Sequence, residues 1–509
     1  LALAFGPTAG HAASVAVVTD AVQVTNNPVP VRAHSSPVLA RNPKDGELAI
    51  VETDIRGTRA CNVHLSFDDG RSWTAGGDIM TKPYTDCALY GEYGPYAGIV
   101  FDKNGVLLVS FVASEFTDLV REQVPRNVFL ARSVDGGRTF DTTMVFKAPS
   151  GNQDKGHDKG ATVAVDPTNP DHVYVGWRQG VSTSTTEKLK SDIAASSDGG
   201  KTFGPPVDVA DQNGGDYPEP VVGLDGTVHV IYWGRFFPPP PSDPARPVRP
   251  INYVRSTDHG KTFSEPEPVD PGNQSTGDPR PPVVAVDPTN SSTIYMVWWS
   301  DSDPMNAATG FQGNLDIFFR RSTDNGKTWS DRKTINDDTS RTPKANHFDP
   351  GISVAPNGRI DVAWLDGRLS SVPPAGGTGT NEKGFQDVYY SSSTDRGDTW
   401  APNIRVTDRS IDRSIGVWSN SSIGSHHNLG VASTDGKVFI TWQDSRNGNS
   451  LTGAEDVYFS SVNLDGTAQA KTKGKGVARG LVFAVGSLLG LGGATALAAG
   501  LARRRANTG

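Results

Sequence analysis

The sequence predicts an all-β fold: seven four-stranded sheets arranged as a closed β-propeller, followed by one transmembrane helix. Three observations predict it. A motif of the form S-x-D-x-G-x-[TS]-[WF] occurs six times, beginning at Ser66, Ser133, Ser196, Ser256, Ser322 and Ser393. Successive copies start 60 to 71 residues apart, room for four strands and their connections. A second unit, a strand, a turn and another strand, precedes each copy and occurs seven times.

Each motif copy lies between short apolar or β-branched runs, so it reads as a hairpin tip. Its Asp and Ser side chains can hydrogen-bond nearby backbone N–H groups, and its Gly supplies a positive φ. The closing Trp or Phe offers a large apolar face to wedge against neighbouring strands. The second unit is clearest in Ala161–Trp177, Pro281–Trp299 and Pro350–Trp364, where D-P-T-N and P-N-G mark turns between alternating apolar runs. Its first copy is Ser36–Val51 and its last Asn428–Trp442. That last unit leads into Asp456–Gly466, a worn copy of the motif with no fourth strand after it. Ala21–Thr25 resembles Ile404–Asp408, the fourth strand of the preceding repeat, and is expected to complete the last blade from the other end of the chain. Six blades plus a sandwich piece is the alternative count.

The repeats make residues 20–466 one unit. With 36% hydrophobic residues, 56 Gly and 36 Pro, the composition suits a turn-rich β protein. A net charge of −8 and the absence of a basic stripe interleaved with aromatics argue against a nucleic-acid partner. There is no Gly-rich phosphate loop and no zinc-type Cys/His spacing, so no cofactor is implied.

The C-terminal end has its own character. Residues 481–502 carry no charge, are rich in Leu, Ala, Gly and Val, and precede Arg503, Arg504 and Arg505. That length spans a bilayer, and the arginines place a tail of residues 503–509 in the cytoplasm. Residues 467–480 read as a stalk. At the other end, residues 1–14 read as the remnant of a secretory signal peptide with a small-residue cleavage site. The expectation is a single-pass protein of the cell membrane, its propeller extracellular.

The six motifs closely resemble the Asp-box, or BNR repeat, of sialidase-like β-propellers. The resemblance implies that they lie between the third and fourth strands of a blade, away from the ligand face, with Asp68, Asp135, Asp198, Asp258, Asp324 and Asp395 in structural turns. On this frame Cys61 opens a third strand, and Cys87 lies on the way to the next blade. As the only two cysteines of an exported chain, they are expected to form a disulfide.

In propellers of this kind the first strands line a central channel, and loops at one end crown a ligand face. Loops leading into first strands carry His34, Glu92, His157 with Asp158, Asp216 with Glu219, Asp278 with Arg280, His347 with Asp349, and His426 with His427. Exits of second strands carry Asp54 and Arg56, Asp366 and Arg368, and Asp444 and Arg446, all of the form D-x-R, with Glu115, Arg178, Arg235 and Asp301 at matching places. Arg56, Arg178, Arg235, Arg280, Arg368 and Arg446 are the expected substrate-binding set. Guanidinium groups clamp a sugar carboxylate bidentately, and a raised-pKa carboxylic acid protonates a leaving oxygen. The competing reading is that an Asp and an Arg two apart pair with each other and pin loops between blades.

The sequence departs from the family pattern at three places. Sialidases begin the first blade with Arg-Ile-Pro, whereas here Ser35-Ser36-Pro37 puts Ser35 where that arginine belongs. No carboxylate follows Arg56 closely, which leaves Asp54 as the candidate acid, and His426 or His427 falls where the family has a nucleophilic tyrosine. Asp54 and His426 are therefore the catalytic candidates of an exo-α-sialidase-like hydrolase. A non-catalytic propeller that binds a glycan, a peptide or a surface protein is the second expectation. A metal site drawn from His347, Asp349, His426 and His427 is the third, with no spacing signature behind it.

Overall fold

The computed structural model describes residues 16–26, 33–54, 60–87, 97–115, 126–148, 159–182, 187–210, 214–234, 250–271, 281–301, 315–339, 345–370, 384–416 and 429–465. They form seven antiparallel sheets, each a blade. Blade 1 is His34–Arg41, Leu48–Asp54, Ala60–Ser66 and Thr74–Ala75, paired in chain order. Blade 2 is Gly98–Phe101, Leu107–Ser114, Asn127–Ser133 and Asp141–Phe146, with Asp86–Cys87 also paired to its second strand. Blade 3 is Lys159–Val165, Val173–Ser182, Glu187–Ser196 and Val207–Asp208; blade 4 is Gly215–Val222, Val228–Gly234, Ile251–Ser256 and Glu267–Asp270. Blade 5 is Val283–Val286, Ile294–Asp301, Leu315–Ser322 and Lys333–Thr334; blade 6 is His347–Val354, Ile360–Asp366, Phe385–Ser393 and Ile404–Arg405.

Blade 7 takes Gly430–Ser433, Lys437–Asp444 and Asp456–Asn463 from the C-terminal part of the repeats. Its outer strand comes from the N-terminal side: Val22 and Gln23 pair with Phe459 and Tyr458, as the likeness of Ala21–Thr25 to a fourth strand implied. Val17 and Val18 extend that edge by pairing with Asn463 and Val462, a contact the sequence did not announce. First strands of successive blades touch one another all the way round, and the first strand of blade 7 touches that of blade 1. The ring is closed, so no blade edge is left between neighbours.

Strand periodicity builds the core. Along the second strand of blade 1, Leu48 and Ile50 pack with Phe439, Val457 and Phe459 of blade 7. The intervening Ala49 and Val51 pack with Leu107, Val109 and Phe111 of blade 2. Alternate residues thus face opposite neighbours, and the core is a series of blade-to-blade interfaces. The expected disulfide is present: Cys61 of blade 1 joins Cys87, whose Cα lies 5.6 Å away, stapling blade 1 to the strand that pairs with blade 2.

The motif turns close the lower ends of third strands. In the first, Ser66 Oγ donates to Asp68 Oδ1 at 2.9 Å and accepts the Gly70 N–H at 2.9 Å. Asp68 also accepts the Ser72 N–H at 2.9 Å and the Ser72 hydroxyl at 2.7 Å. The same arrangement recurs around Asp135, Asp198, Asp258, Asp324 and Asp395. Burial opposes ionisation of Asp198, yet these donors hold its carboxyl down at about 2. The motif aspartates are thus consumed inside their own turns. Trp73, Trp329 and Trp400 pack edge-on against Phe459, Tyr253 and Phe319 of the preceding blades.

No helix among the described residues is long and apolar enough to cross a membrane. The expected signal remnant, stalk, membrane helix and tail (residues 1–14 and 467–509) lie outside the described residues.

Candidate functional site

The upper end of the ring, where first strands begin and second strands end, is shaped by one repeated irregularity. The pairing of first to second strand slips between Ser35 and Val38, Lys159 and Thr162, Asp216 and Glu219, and Phe348 and Gly351. Each slip contains a left-handed residue: Ser36 at φ 53°, Gly160 at 67°, Tyr217 at 53° and Asp349 at 50°. In three of the four a proline follows, Pro37, Pro218 or Pro350. Bulges of this kind re-aim side chains, and a left-handed aromatic such as Tyr217 is held at a cost of order 1–3 kcal/mol. They lie next to His34, Asp216, Glu219 and His347 among the polar groups described next.

At blades 3 and 4, Arg178 lies within the second strand of blade 3, and Asp216 lies at the start of the first strand of blade 4. Arg178 Nη1 donates to Asp216 Oδ2 at 2.8 Å, both side chains being buried. Asp216 Oδ1 is buried with no hydrogen-bond partner among the described residues. The Tyr217 ring lies 6.0 Å from the Arg178 guanidinium carbon and stacks at 6.3 Å on Trp233, and these two aromatics form a small cluster of their own. Two residues on, Glu219 is enclosed by protein while keeping a little accessible surface. Burial alone pushes its carboxyl up to about 8, so it is protonated at neutral pH.

At blades 5 and 6 a second group assembles. His347 opens its first strand, Asp366 ends the following strand, and Asp338 comes from the crossover after the last strand of blade 5. His347 Nε2 lies 3.0 Å from Asp338 Oδ1 and 3.4 Å from Asp366 Oδ2. His347 Nδ1 is 2.6 Å from the Leu315 carbonyl, which can only accept, so Nδ1 carries a hydrogen. Burial works against a charged imidazole here, but Asp366 and Asp338 outweigh it and push the ring up to about 10. Asp366 in turn accepts the Trp364 indole N–H at 2.9 Å and is straddled by Arg368 Nε, 3.0 Å from each oxygen. Arg368 also reaches Asp337 at 2.6 Å and Asn403 at 3.0 Å, and stacks 4.2 Å above Tyr389.

Blade 7 repeats that last arrangement. Trp442 donates to Asp444 at 3.0 Å, Arg446 grips Asp444 at 2.7 Å and Asp408 at 2.8 Å, and its guanidinium stacks 4.2 Å above Tyr458. In both described D-x-R pairs the arginine folds back onto its own aspartate and pins a crossover loop. In the third, Asp54 lies opposite His34 in register, and Arg56 lies outside the described residues. Beside it His34 Nδ1 is 3.0 Å from Glu52, which also accepts Asn62 at 2.8 Å and faces His64 at 3.3 Å. Glu52 occupies the register position held by Phe111, Trp177, Tyr232, Trp298, Trp364 and Trp442 in the other blades.

Only half of the metal set expected from the sequence falls among the described residues. Asp349 sits at the bulge, while His347 meets Asp338 and Asp366, and His426 and His427 lie outside the described residues. Arg235, Arg280, Glu92, His157, Asp158 and Asp278 lie outside them too. Asp338 went unnoticed because it stands in a crossover, Asn336-Asp337-Asp338, with no motif around it; the run of acids was the one available signal.

The chain matches no protein-family model. It matches no curated protein either. Solved structures do resemble it. A Dyadobacter fermentans protein of unknown function aligns over 88% of this chain and 99% of its own, at 12% identity and a TM-score of 0.46. A GH93 α-L-arabinofuranosidase of Fusarium graminearum aligns over 88% and 98%, at 13% identity and 0.46. A Trypanosoma rangeli sialidase aligns over 86% and 54%, at 13% identity and 0.38. Likeness at this level assigns no residue a role.

Proposed function

We propose that this chain is a sialidase-like propeller that binds glycans at the upper end of its ring, held at the outer surface of a membrane by its C-terminal segment. The observation that carries the reading is the group on blades 3 and 4. Arg178, a buried Asp216 oxygen without a hydrogen-bond partner among the described residues, and the Tyr217–Trp233 pair meet there, and a protonated Glu219 follows Asp216 on the same strand. The acid donates to a sugar oxygen and the aspartate accepts from a hydroxyl, while the buried Tyr217–Trp233 pair backs them with an apolar wall. The membrane part of the reading rests on the uncharged stretch 481–502 and the three arginines after it. The reading favours binding over efficient sialidase turnover, because Ser35 is fully buried on the first strand where a carboxylate-clamping arginine would be needed.

The test is a glycan array, probed with the purified full chain in detergent, together with hydrolysis of a fluorogenic sialoside. Retention of a glycan class, weakened about tenfold or more by Tyr217→Gly or Glu219→Gln, supports the reading. Glycine accepts the left-handed backbone at that position, so the first variant removes the ring without adding strain. Sialoside turnover lost on Asp54→Ala would replace binding by hydrolysis at a different part of the face. No retained glycan would overturn the reading.

A further inference from the structure

We propose that Asp338, His347 and Asp366, at the upper seam of blades 5 and 6, form a binding site for a divalent transition-metal ion of the zinc or manganese kind. The site is separate from the glycan group on blades 3 and 4 and does not depend on it.

The first argument is the placing of donor atoms. His347 Nε2, Asp338 Oδ1 and Asp366 Oδ2 converge from three different segments, with separations from the nitrogen of 3.0 and 3.4 Å. One ligand atom from each residue lies within 4.8 Å of the others. Four donors placed about 2.0–2.2 Å from a tetrahedral ion stand about 3.3–3.6 Å apart, so small adjustments admit an ion.

The second argument is what the atoms lack. His347 is 1% exposed, and although its Nε2 is close to Asp338 it makes no aligned hydrogen bond among the described residues; Asp338 Oδ2 is likewise buried with no hydrogen-bond partner among them. A buried imidazole nitrogen aimed at two carboxylates without a hydrogen bond is the arrangement an ion completes.

The third argument is the surrounding support. The Leu315 carbonyl fixes a hydrogen on Nδ1, which leaves Nε2, facing the carboxylates, as the nitrogen that exchanges its proton for an ion, as carbonyl acceptors do behind metal-bound histidines. Trp364 orients Asp366, and Asn336 donates to Asp338 Oδ1 at 3.2 Å. When an ion takes Asp366 Oδ2, Arg368 retains Oδ1 through Nε and its own backbone N–H, and Asp337 through Nη1. Asp316 adds a further carboxylate 3.7 Å from His347 Nδ1. Four aspartates, Asp316, Asp337, Asp338 and Asp366, thus surround one arginine and one histidine, an excess of negative charge. One nitrogen and a set of carboxylate oxygens suit zinc or manganese, whereas calcium takes oxygen ligands alone and more of them.

The other occupant of the same position is a proton on Nε2, and the experiment decides between them. The full chain is stripped with chelator and titrated calorimetrically with Zn2+, Mn2+ and Ca2+, and Co2+ loading is followed by visible absorption. The expected result is one equivalent of Zn2+ or Mn2+ per chain, weak or absent Ca2+ binding, and Co2+ bands of a low-coordinate N/O site. His347→Gln should abolish that equivalent. Asp338→Asn, in a crossover loop, should weaken it about tenfold or more with the circular dichroism of the chelated protein unchanged. Absence of a stoichiometric ion, or an ion retained in full by both variants, would overturn the proposal and leave a proton in the position.

Discussion

Gly326, in the motif turn of blade 5, lies so close to Tyr253 of blade 4 that a Cβ on it would fall 2.1 Å from the ring. The relationship recurs around the propeller: Gly70 faces Phe459, Gly137 faces Leu65, Gly200 faces Leu130, and Gly397 faces Phe319, always on the preceding blade. The motif glycine therefore serves two ends, a φ of 77° at Gly326 and a blade-to-blade contact that admits no side chain. Gly326→Ala is expected to destabilise by about 2–5 kcal/mol, combining left-handed strain with overpacking against an aromatic. Gly436→Ala is the control, since a Cβ there meets nothing within 4 Å. Urea unfolding midpoints of the two variants check the difference, and equal midpoints would mean the ring moves aside at little cost.

The Cys61–Cys87 bridge spans a sequence separation of 26 and ties blade 1 to the edge of blade 2. Reducing it, or Cys61→Ala with Cys87→Ala, should lower stability by about 3 kcal/mol through the greater freedom of the unfolded chain. Unfolding midpoints with and without reductant measure this.

Glu52 stands where every other blade places an aromatic, and its two histidines and Asn62 replace the lost packing with a polar network on the side of blade 1 that faces blade 7. Burial would raise its carboxyl, but His34 and His64 overcome that and hold it near 2, below the ordinary 4.5. A depressed folded pKa gives stabilisation that is present above pH 4.5 and drains as pH falls toward 2. Glu52→Gln should flatten that part of the stability profile, and Glu52→Ala should cost about 3–5 kcal/mol at neutral pH by stranding its buried partners. Stability measured from pH 6 down to pH 2 for parent and Glu52→Gln checks the sign.

Much of this fold is legible in the chain because its turns are local. Ser66, Asp68 and Gly70 satisfy one another within five residues, so the motif announces its own structure wherever it occurs. The fourth strand of blade 7 was legible for a different reason: Ala21–Thr25 resembles the fourth strand of the preceding repeat, Ile404–Asp408, and the last repeat lacks such a strand of its own. The site residues are a different matter. Asp338 meets His347 only because a crossover returns to the upper end, and no spacing encodes that approach. Asp366 and Arg368 are visible as a pair in sequence, but the partners that hold the arginine over its own aspartate, Tyr389, Asp337 and Asn403, lie 21, 31 and 35 residues away. Tyr217 escaped notice because its backbone conformation, not its type, sets it apart.

Glu219 gives the last prediction, with the opposite sign to Glu52. Its folded carboxyl is pushed up to about 8 by burial, while in the unfolded chain it returns to about 4.5. Between those values the folded state holds a proton that the unfolded state has lost, so stability falls as pH rises from 4.5 to about 8 and levels off above. Below pH 4.5 both states are protonated and the group exerts no pull. Glu219→Gln keeps the neutral shape and removes the proton, so the variant should match its parent near pH 4 and exceed it in stability at pH 8. Glu47 and Asp192, both raised by burial to about 7, slope the same way in parent and variant alike, and the difference between the two profiles isolates Glu219. Parallel profiles across that range would show a carboxylate ionised at neutral pH, and would remove the hydrogen-bond donor on which the glycan reading of blades 3 and 4 depends.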